Sequence, residues 1–298
     1  NNGLELDNAV GNSVIGNLIS GNSVNGVSIV NNSSGNPIQG NRIGVAADGT
    51  TGLANINSGI LVNNAVNNII GGLEAAQGNT IAFNTGDGVT IINDASVGNA
   101  ISGNSIYSNG AAEDNTAIGI DLANDGVTVN DAGDIDLGPN TLQNYPELLL
   151  AEPVDNNTVV AGRLNSLPST TYRLEFFSNV AVDPSVNGQG QSFIGTTEVT
   201  TDAQGNAIFT ATLPATGDLS GQFITATATD PNNNSSEFST AVDVSLPEIT
   251  ITENLAQNEG NDDTVDYTYT VSLSQPSTQE IVVNYTTNDG TATVADND

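Results

Sequence analysis

The residues of this chain that could do chemistry are its carboxylates. Asp and Glu number 34 against three basic side chains, Arg42, Arg163 and Arg173, which gives a net charge of −31 at neutral pH. Closely spaced carboxylates repel one another unless something neutralises them, so the pattern favours hard divalent cations. An acidic surface also keeps an extracellular protein soluble, and both effects are expected. His, Cys, Met, Trp and Lys are all absent. Thiol chemistry, Ser-His-Asp catalysis and imidazole metal sites are therefore excluded. The donors that remain are carboxylates, amides and carbonyls, which suit Ca²⁺ rather than Zn²⁺. Nucleic acid and anionic membrane surfaces need basic contacts that the chain does not offer.

Two constellations stand out. Asp121, Asp125, Asp131, Asp134 and Asp136 crowd one short stretch. Within it Asp121, Asp134 and Asp136 are candidate Ca²⁺ ligands, against the alternative of a solvated loop. Further on, Asp230 with Glu237 could clip a domain junction through Ca²⁺. The alternative there is an ordinary turn opened by Asp230-Pro231. A glycosidase would need two carboxylates about 5–10 Å apart in a cleft, and Asp121 with Asp134 or Asp136 could supply them. Yet residues 1–151 hold only Phe83, Tyr107 and Tyr145 as aromatic platforms, and Arg42 as the only base. No catalytic role is expected.

The elements that must position these groups are repetitive. A Gly followed by alternating apolar residues recurs at Gly3-Leu4-Glu5-Leu6, Gly26-Val27-Ser28-Ile29, Gly59-Ile60-Leu61-Val62, Gly88-Val89-Thr90-Ile91 and Gly119-Ile120-Asp121-Leu122. The spacings are 23, 33, 29 and 31 residues. Gly-Asn steps such as Gly35-Asn36, Gly40-Asn41, Gly98-Asn99 and Gly103-Asn104 lie between them. Gly and Asn tolerate the left-handed backbone that sharp corners need. Three short strands per repeat without helical periodicity describe the coil of a parallel β-helix, with apolar columns inside and Asn ladders at the corners. From about Glu152 longer alternating strands take over, including Tyr172–Phe177, Ala207–Ala211 and Phe223–Ala228, as in a two-sheet sandwich. A third module opens at Leu246-Pro247, with strands expected at Ile249–Ile251, Tyr267–Leu273 and Ile281–Tyr285.

On these residues a family resemblance can be named. Residues 1–151 resemble the right-handed parallel β-helix repeats of large bacterial exoproteins, through Gly98-Asn99-Ala100-Ile101-Ser102-Gly103-Asn104-Ser105-Ile106 and the exit segment Asn130-Asp131-Ala132-Gly133-Asp134-Ile135-Asp136-Leu137-Gly138-Pro139-Asn140. Residues 152–245 resemble the Ig-like module that follows such helices, through Leu174-Glu175-Phe176-Phe177-Ser178-Asn179 and Asp230-Pro231-Asn232-Asn233-Asn234-Ser235-Ser236-Glu237-Phe238. Residues 246–298 are similar to the N-terminal part of a Calx-β domain, through Glu253 and Val283-Asn284-Tyr285-Thr286-Thr287-Asn288-Asp289-Gly290. That last resemblance implies Ca²⁺ at Glu253 and Asp289, with Asp296 or Asp298 following.

The expected architecture is all-β: a right-handed parallel β-helix followed by β-sandwich modules, Ig-like and partial Calx-β-like. The expected role is mechanical, an extracellular or bacterial cell-surface stalk, sheath or adhesin with Ca²⁺-stiffened modules. The alternatives are a carbohydrate- or receptor-binding module and a polysaccharide-degrading β-helix. No apolar run reaches the roughly 18 residues a membrane span needs. The first residues do not read as a signal peptide, so a processed chain or a segment is expected. An open coil end and an incomplete third module would be completed by the same polypeptide or by a neighbouring subunit, as in a head-to-tail filament; self-association or contact with matrix components follows.

Overall fold

The computed structural model describes residues 1–110, 117–184, 187–214, 219–252 and 268–286. These fall into two compact units, Asn1–Ser245 and Leu246–Asp298. The first unit opens with stacked coils of three short strands each. The first coil has β1 (Leu4–Asp7), β2 (Val14–Ile15) and β3 (Leu18–Ile19), and the second has β4 (Val27–Val30), β5 (Pro37–Gln39) and β6 (Arg42–Ile43). The third has β7 (Ile60–Asn63), β8 (Ile69–Gly71) and β9 (Thr80–Ala82). The fourth has β10 (Val89–Ile92), β11 (Ala100–Ser102) and β12 (Ser105–Tyr107), and β13 (Ile120–Leu122) begins a fifth. Every strand pairs in parallel with its counterpart one coil away, giving three sheets, β1-β4-β7-β10-β13, β11-β8-β5-β2 and β12-β9-β6-β3. This is a parallel β-helix.

Register sets the core. Val27, Ile60, Val89 and Ile120 stack in one column and Ile29, Val62, Ile91 and Leu122 in another. Ile38, Ile70 and Ile101 form a third column, and Ile43, Ile81 and Ile106 a fourth. Side chains alternate across a strand, so the same register turns the residues between them outward. Each buried Ile or Val contributes roughly 1.5–3 kcal/mol of transfer free energy.

Three asparagine ladders bind the corners. Asn36 Nδ2 donates to Asn68 Oδ1 at 2.8 Å and Asn68 Nδ2 to Asn99 Oδ1 at 3.0 Å. Asn41, Asn79 and Asn104 form a second series at 3.0 and 2.8 Å. Asn22, Asn55, Asn84 and Asn109 form the third, at 2.8, 2.8 and 2.9 Å. In most rungs the same Oδ1 also accepts the backbone N–H of the Asn one coil away, as Asn99 Oδ1 does from Asn68 N. The corner backbone, which has no strand partner, is thereby satisfied.

The recurrent glycines divide into two kinds. Gly11, Gly16, Gly35, Gly40, Gly98 and Gly103, each before an Asn, sit at positive φ, as the corners require. The strand-opening glycines Gly26, Gly59 and Gly88 do not. Space decides there: a Cβ on Gly59 would lie 2.6 Å from Ile81 Cγ2 and 2.7 Å from the Gly88 carbonyl oxygen.

The rest of the first unit is antiparallel. Its strands are β14 (Glu147–Val154), β15 (Asn157–Asn165), β16 (Thr171–Asn179), β17 (Ser192–Thr200), β18 (Asn206–Pro214), β19 (Phe223–Thr229) and β20 (Val242–Asp243). They form the sheets β14-β15-β18 and β17-β16-β19-β20, which share a core of Val160, Leu164, Tyr172, Leu174, Phe176, Phe209 and Ile224. β14 runs across the boundary expected at 151/152, because Leu148 and Leu150 already pair with β15 and Leu148 and Ala151 turn into this core.

In the second unit β21 (Ile249–Ile251) pairs antiparallel with β22 (Val271–Leu273). Ile281–Tyr285, expected as a strand, has no strand pairing among the described residues.

Replacing Asn79 by Ala would remove the acceptor of both Asn41 N and Asn41 Nδ2. The expected cost is about 2–4 kcal/mol, from two buried donors left unpaired. Asn12→Ala, at an exposed ladder end, should cost under about 1 kcal/mol. Urea midpoints at unchanged m-value check both.

Candidate metal centre at the exit from the coils

Between the last coil strand and the antiparallel sheets the chain runs through the acidic stretch 121–146. The structure sorts its carboxylates into two groups. Asp131, Asp134 and Asp136 each offer an oxygen, and all three oxygens lie within 4.8 Å of one another. Asp121 instead faces Asp87 and Glu237.

The loop geometry of the first group is built from asparagines. Asn144 Oδ1 accepts Asp131 N at 3.1 Å, and Asn144 Nδ2 donates to the carbonyls of Asp131 at 2.8 Å and Asn165 at 2.9 Å. Asn165, on β15, accepts Gly133 N at 2.7 Å, which fastens the loop to the sheets. Gly133 and Asp134 both adopt positive φ, 83° and 55°. This tight bend brings Asp131 and Asp134 together although they are three residues apart. Asp134 is buried; it accepts Asn144 N at 2.9 Å and the Ser166 hydroxyl. Ser166 Oγ is in turn 2.7 Å from the Tyr172 hydroxyl and accepts Gln143 Nε2 at 3.1 Å.

Electrostatically the group is short of positive charge. Burial raises the Asp134 pKa to about 6, with the charges of Asp136 and Asp131 adding and the Ser166 and Asn144 hydrogen bonds opposing. Burial and then the Asp131 charge raise Asp136. The three arginines are engaged elsewhere: Arg42 with the Ala47 carbonyl, Arg163 with Glu147, and Arg173 with Glu175 and Ser102. Asp131 Oδ1 and Asp136 Oδ1 are buried without a hydrogen-bond partner. A single ion with Ca–O bonds of about 2.3–2.6 Å can bridge oxygens up to roughly 5 Å apart. The spread, the all-oxygen donors and the two orphaned oxygens fit Ca²⁺.

The other expected ligands are placed differently. Asp121 accepts Asp125 N at 3.2 Å and Gly126 N at 3.1 Å, so it is not joined to Asp134 and Asp136. Asp230 caps its own turn, accepting Asn232 N and Asn234 N at 2.8 Å and Asn234 Nδ2 at 2.9 Å. Glu237 accepts Leu122 N and Thr128 N, both at 2.9 Å. Of the expected Asp230–Glu237 clip, the two carboxylates are each taken up by backbone donors of a different segment. Glu253, Asp289 and Asp298 lie outside the described residues. Asp131 was missing from the expected ligand set; its signal was the Asp-x-x-Asp-x-Asp spacing, which became a site only through the bend at Gly133.

The same region closes the coils. Ile106 exchanges two 2.7 Å hydrogen bonds with Gly190, Gln189 Oε1 accepts Asn109 Nδ2 at 3.0 Å, and Ser235 Oγ accepts Ile101 N at 2.9 Å. Asn140 Oδ1 accepts Asn99 N at 3.0 Å, and Asn234 Oδ1 accepts Gly98 N at 2.7 Å. Phe177 and Phe238, edge to face at 5.3 Å, complete the coil core. The C-terminal end of the coils is thus covered by the chain's own sheets and exit loop.

No family model matches this chain, and no curated protein does. Among solved structures it is similar to the enzymatically active domain of tailspike protein 2 of bacteriophage CBA120, at 12% identity and a TM-score of 0.26, over 80% of this chain and 52% of that one. It is also similar to full-length tailspike protein 2 from an Escherichia coli O157:H7 bacteriophage, at 12% identity and a TM-score of 0.18, over 80% of this chain and 47% of that one. The chain spans about half the length of each. Likenesses this distant say nothing about activity.

Ser166→Ala should loosen the acidic loop, since it removes a donor from Asp134 and an acceptor from Gln143. A loss of about 1–3 kcal/mol is expected in thermal melts, against under about 1 kcal/mol for the exposed Thr200→Ala, which loses only a cross-strand hydroxyl contact with Thr171.

Proposed function

We propose that this chain is a non-catalytic structural segment of an extracellular bacterial surface protein, in which Ca²⁺ held by Asp131, Asp134 and Asp136 stiffens the join between a right-handed β-helix and an Ig-like module. The second unit is, in this reading, the start of a Calx-β-like domain, and the protein works as a stalk, sheath or adhesin that self-associates or meets matrix components. The observation that carries the reading is the pair of buried, unpartnered oxygens on Asp131 and Asp136, beside a third carboxylate, Asp134, anchored to Asn144 of the exit segment and Ser166 after β15. A cation there would neutralise the group and tie the exit loop to β15 through Asn165. A scaffolding role also suits the coils, whose polar corners are spent on internal ladders. Against a glycosidase, Asp121 and Glu237 are buried and spent on backbone N–H donors. No helix among the described residues is long and apolar enough to cross a membrane.

A second reading rests on one cavity of about 360 Å³, lined by Tyr107, Asn179, Asp183, Gln189 and Gln191. Its amides, carboxylate and single aromatic ring suit a small polyol, and glycan-array binding lost in Tyr107→Ala would favour it.

The first reading is tested by thermal unfolding of the full chain in millimolar Ca²⁺, Mg²⁺ or chelator. Saturation at about 100 Kd adds roughly 2.7 kcal/mol, or about 5–10 °C for a unit of this size. Ca²⁺ should give this rise and Mg²⁺ much less. Asp134→Asn with Asp136→Asn should abolish the response, whereas the exposed Asp243→Asn should keep it. An unchanged melting point in Ca²⁺ would leave the cluster a solvated loop.

A further inference from the structure

Outside the candidate metal centre the chain buries a second set of carboxylates where the sheets seat on the coils. Glu237, 1% exposed, extends from the segment after β19 to the edge of β13. Its Oε1 accepts Leu122 N and its Oε2 accepts Thr128 N, both at 2.9 Å. Thr128 Oγ1 lies 3.2 Å from both Oε1 and the Leu122 carbonyl, so with its one hydrogen on the carbonyl it can accept the proton of a neutral Glu237. Leu122 N is an edge donor of the last coil strand, so Glu237 occupies a position that a further coil's backbone would fill. A glutamate delivers a charge there. On the coil side Asp121, 3% exposed, flanks Leu122, and Asp87, 6% exposed, lies behind it, bonded to Thr90 Oγ1 at 2.8 Å and Ile118 N at 2.9 Å. From the exit loop comes Asp125, which gives its N–H to Asp121. On the sheet side, Asp230 is spent on its own turn, and Glu175 is paired with Arg173 at 3.1 Å. All three arginines are engaged elsewhere, and lysine and histidine are absent.

We propose that Glu237 is a protonation latch: neutral, it holds the antiparallel sheets onto the coil end, and ionised, it loosens that junction. Taking a carboxylate out of water without a counter-charge favours its neutral form. Burial, reinforced by the charge of Asp121, pushes Glu237 up to about 8, although the Leu122 and Thr128 donors pull it down. Burial and the charge of Asp87 push Asp121 to about 6. A folded pKa above the unfolded value means that the folded chain holds the extra proton. The stability this confers is complete below the ordinary glutamate range, falls as pH rises, and is gone above about 8. Asp121 titrates at the lower edge of the pH 6.5–8 range and Glu237 at its upper edge, so the change toward pH 8 reports Glu237.

The test is hydrogen exchange of the full chain in chelator, which keeps the candidate metal centre out of the result. Peptides covering Leu122 and Thr128 are followed from pH 6.5 to 8, with exchange corrected for its intrinsic pH dependence. Opening of the wild-type junction should increase by up to about tenfold per pH unit, while Glu237→Gln, which carries no charge, should show a flat profile. The same slope in both proteins would overturn the latch. Should the variant not fold, a ¹³C-NMR titration of the Glu237 carboxyl in the wild-type chain decides. A midpoint near 8 supports the latch, and one in the ordinary glutamate range refutes it.

Discussion

The asparagine ladder is the constraint on which the rest of this structure depends. A coil of short strands must turn sharply three times, and each corner leaves backbone N–H groups without a strand partner. The recurrent asparagines solve this by accepting from the neighbouring coil's amide and backbone while donating back, so the buried polar groups are satisfied by stacking itself. Stacking fixes the register, and register places Val, Ile and Leu in columns. Gly59 and its counterparts exist because the next coil's carbonyl comes too close for any side chain.

A stack held in this way has a difficulty at its ends, since the last rung presents donors and acceptors to nothing. At the C-terminal end the antiparallel sheets act as a substitute coil. Gln189 takes the place of the next Asn in one ladder, Asn140 in another, and Gly190 supplies a strand-like pair of hydrogen bonds to Ile106. Phe177 and Phe238 fill the interior where another column residue would sit. Coils and sheets therefore belong to one compact unit although their architectures differ.

The extreme charge acquires structure at this junction. In a chain with almost no bases, a carboxylate brought out of water can be met by backbone donors, by a proton or by a cation. Asp230 is met by backbone donors, Glu237 by backbone donors too few to offset the burial that raises its pKa, and Asp131 and Asp136 each keep an oxygen without a partner. The three outcomes are set by burial and by the number of N–H groups each bend supplies, not by residue type.

The repeat of Gly and alternating apolar residues was enough to define coils, their strands and inward columns, because periodicity and steric need are local and recur every coil. The Gly-Asn steps announced the corner ladders for the same reason. Composition alone ruled out thiol and imidazole chemistry. The pairing of carboxylates was not legible: Asp121 lies thirteen residues from Asp134 yet faces Glu237 more than a hundred residues away, and Asp230 and Glu237, close in sequence, serve separate segments. Nor could the sequence show that Gln189 and Gly190 would stand in for a coil, since they fit no repeat. Contacts of that kind depend on how two differently built layers meet, and only the tertiary structure fixes which donors and charges that meeting leaves buried together.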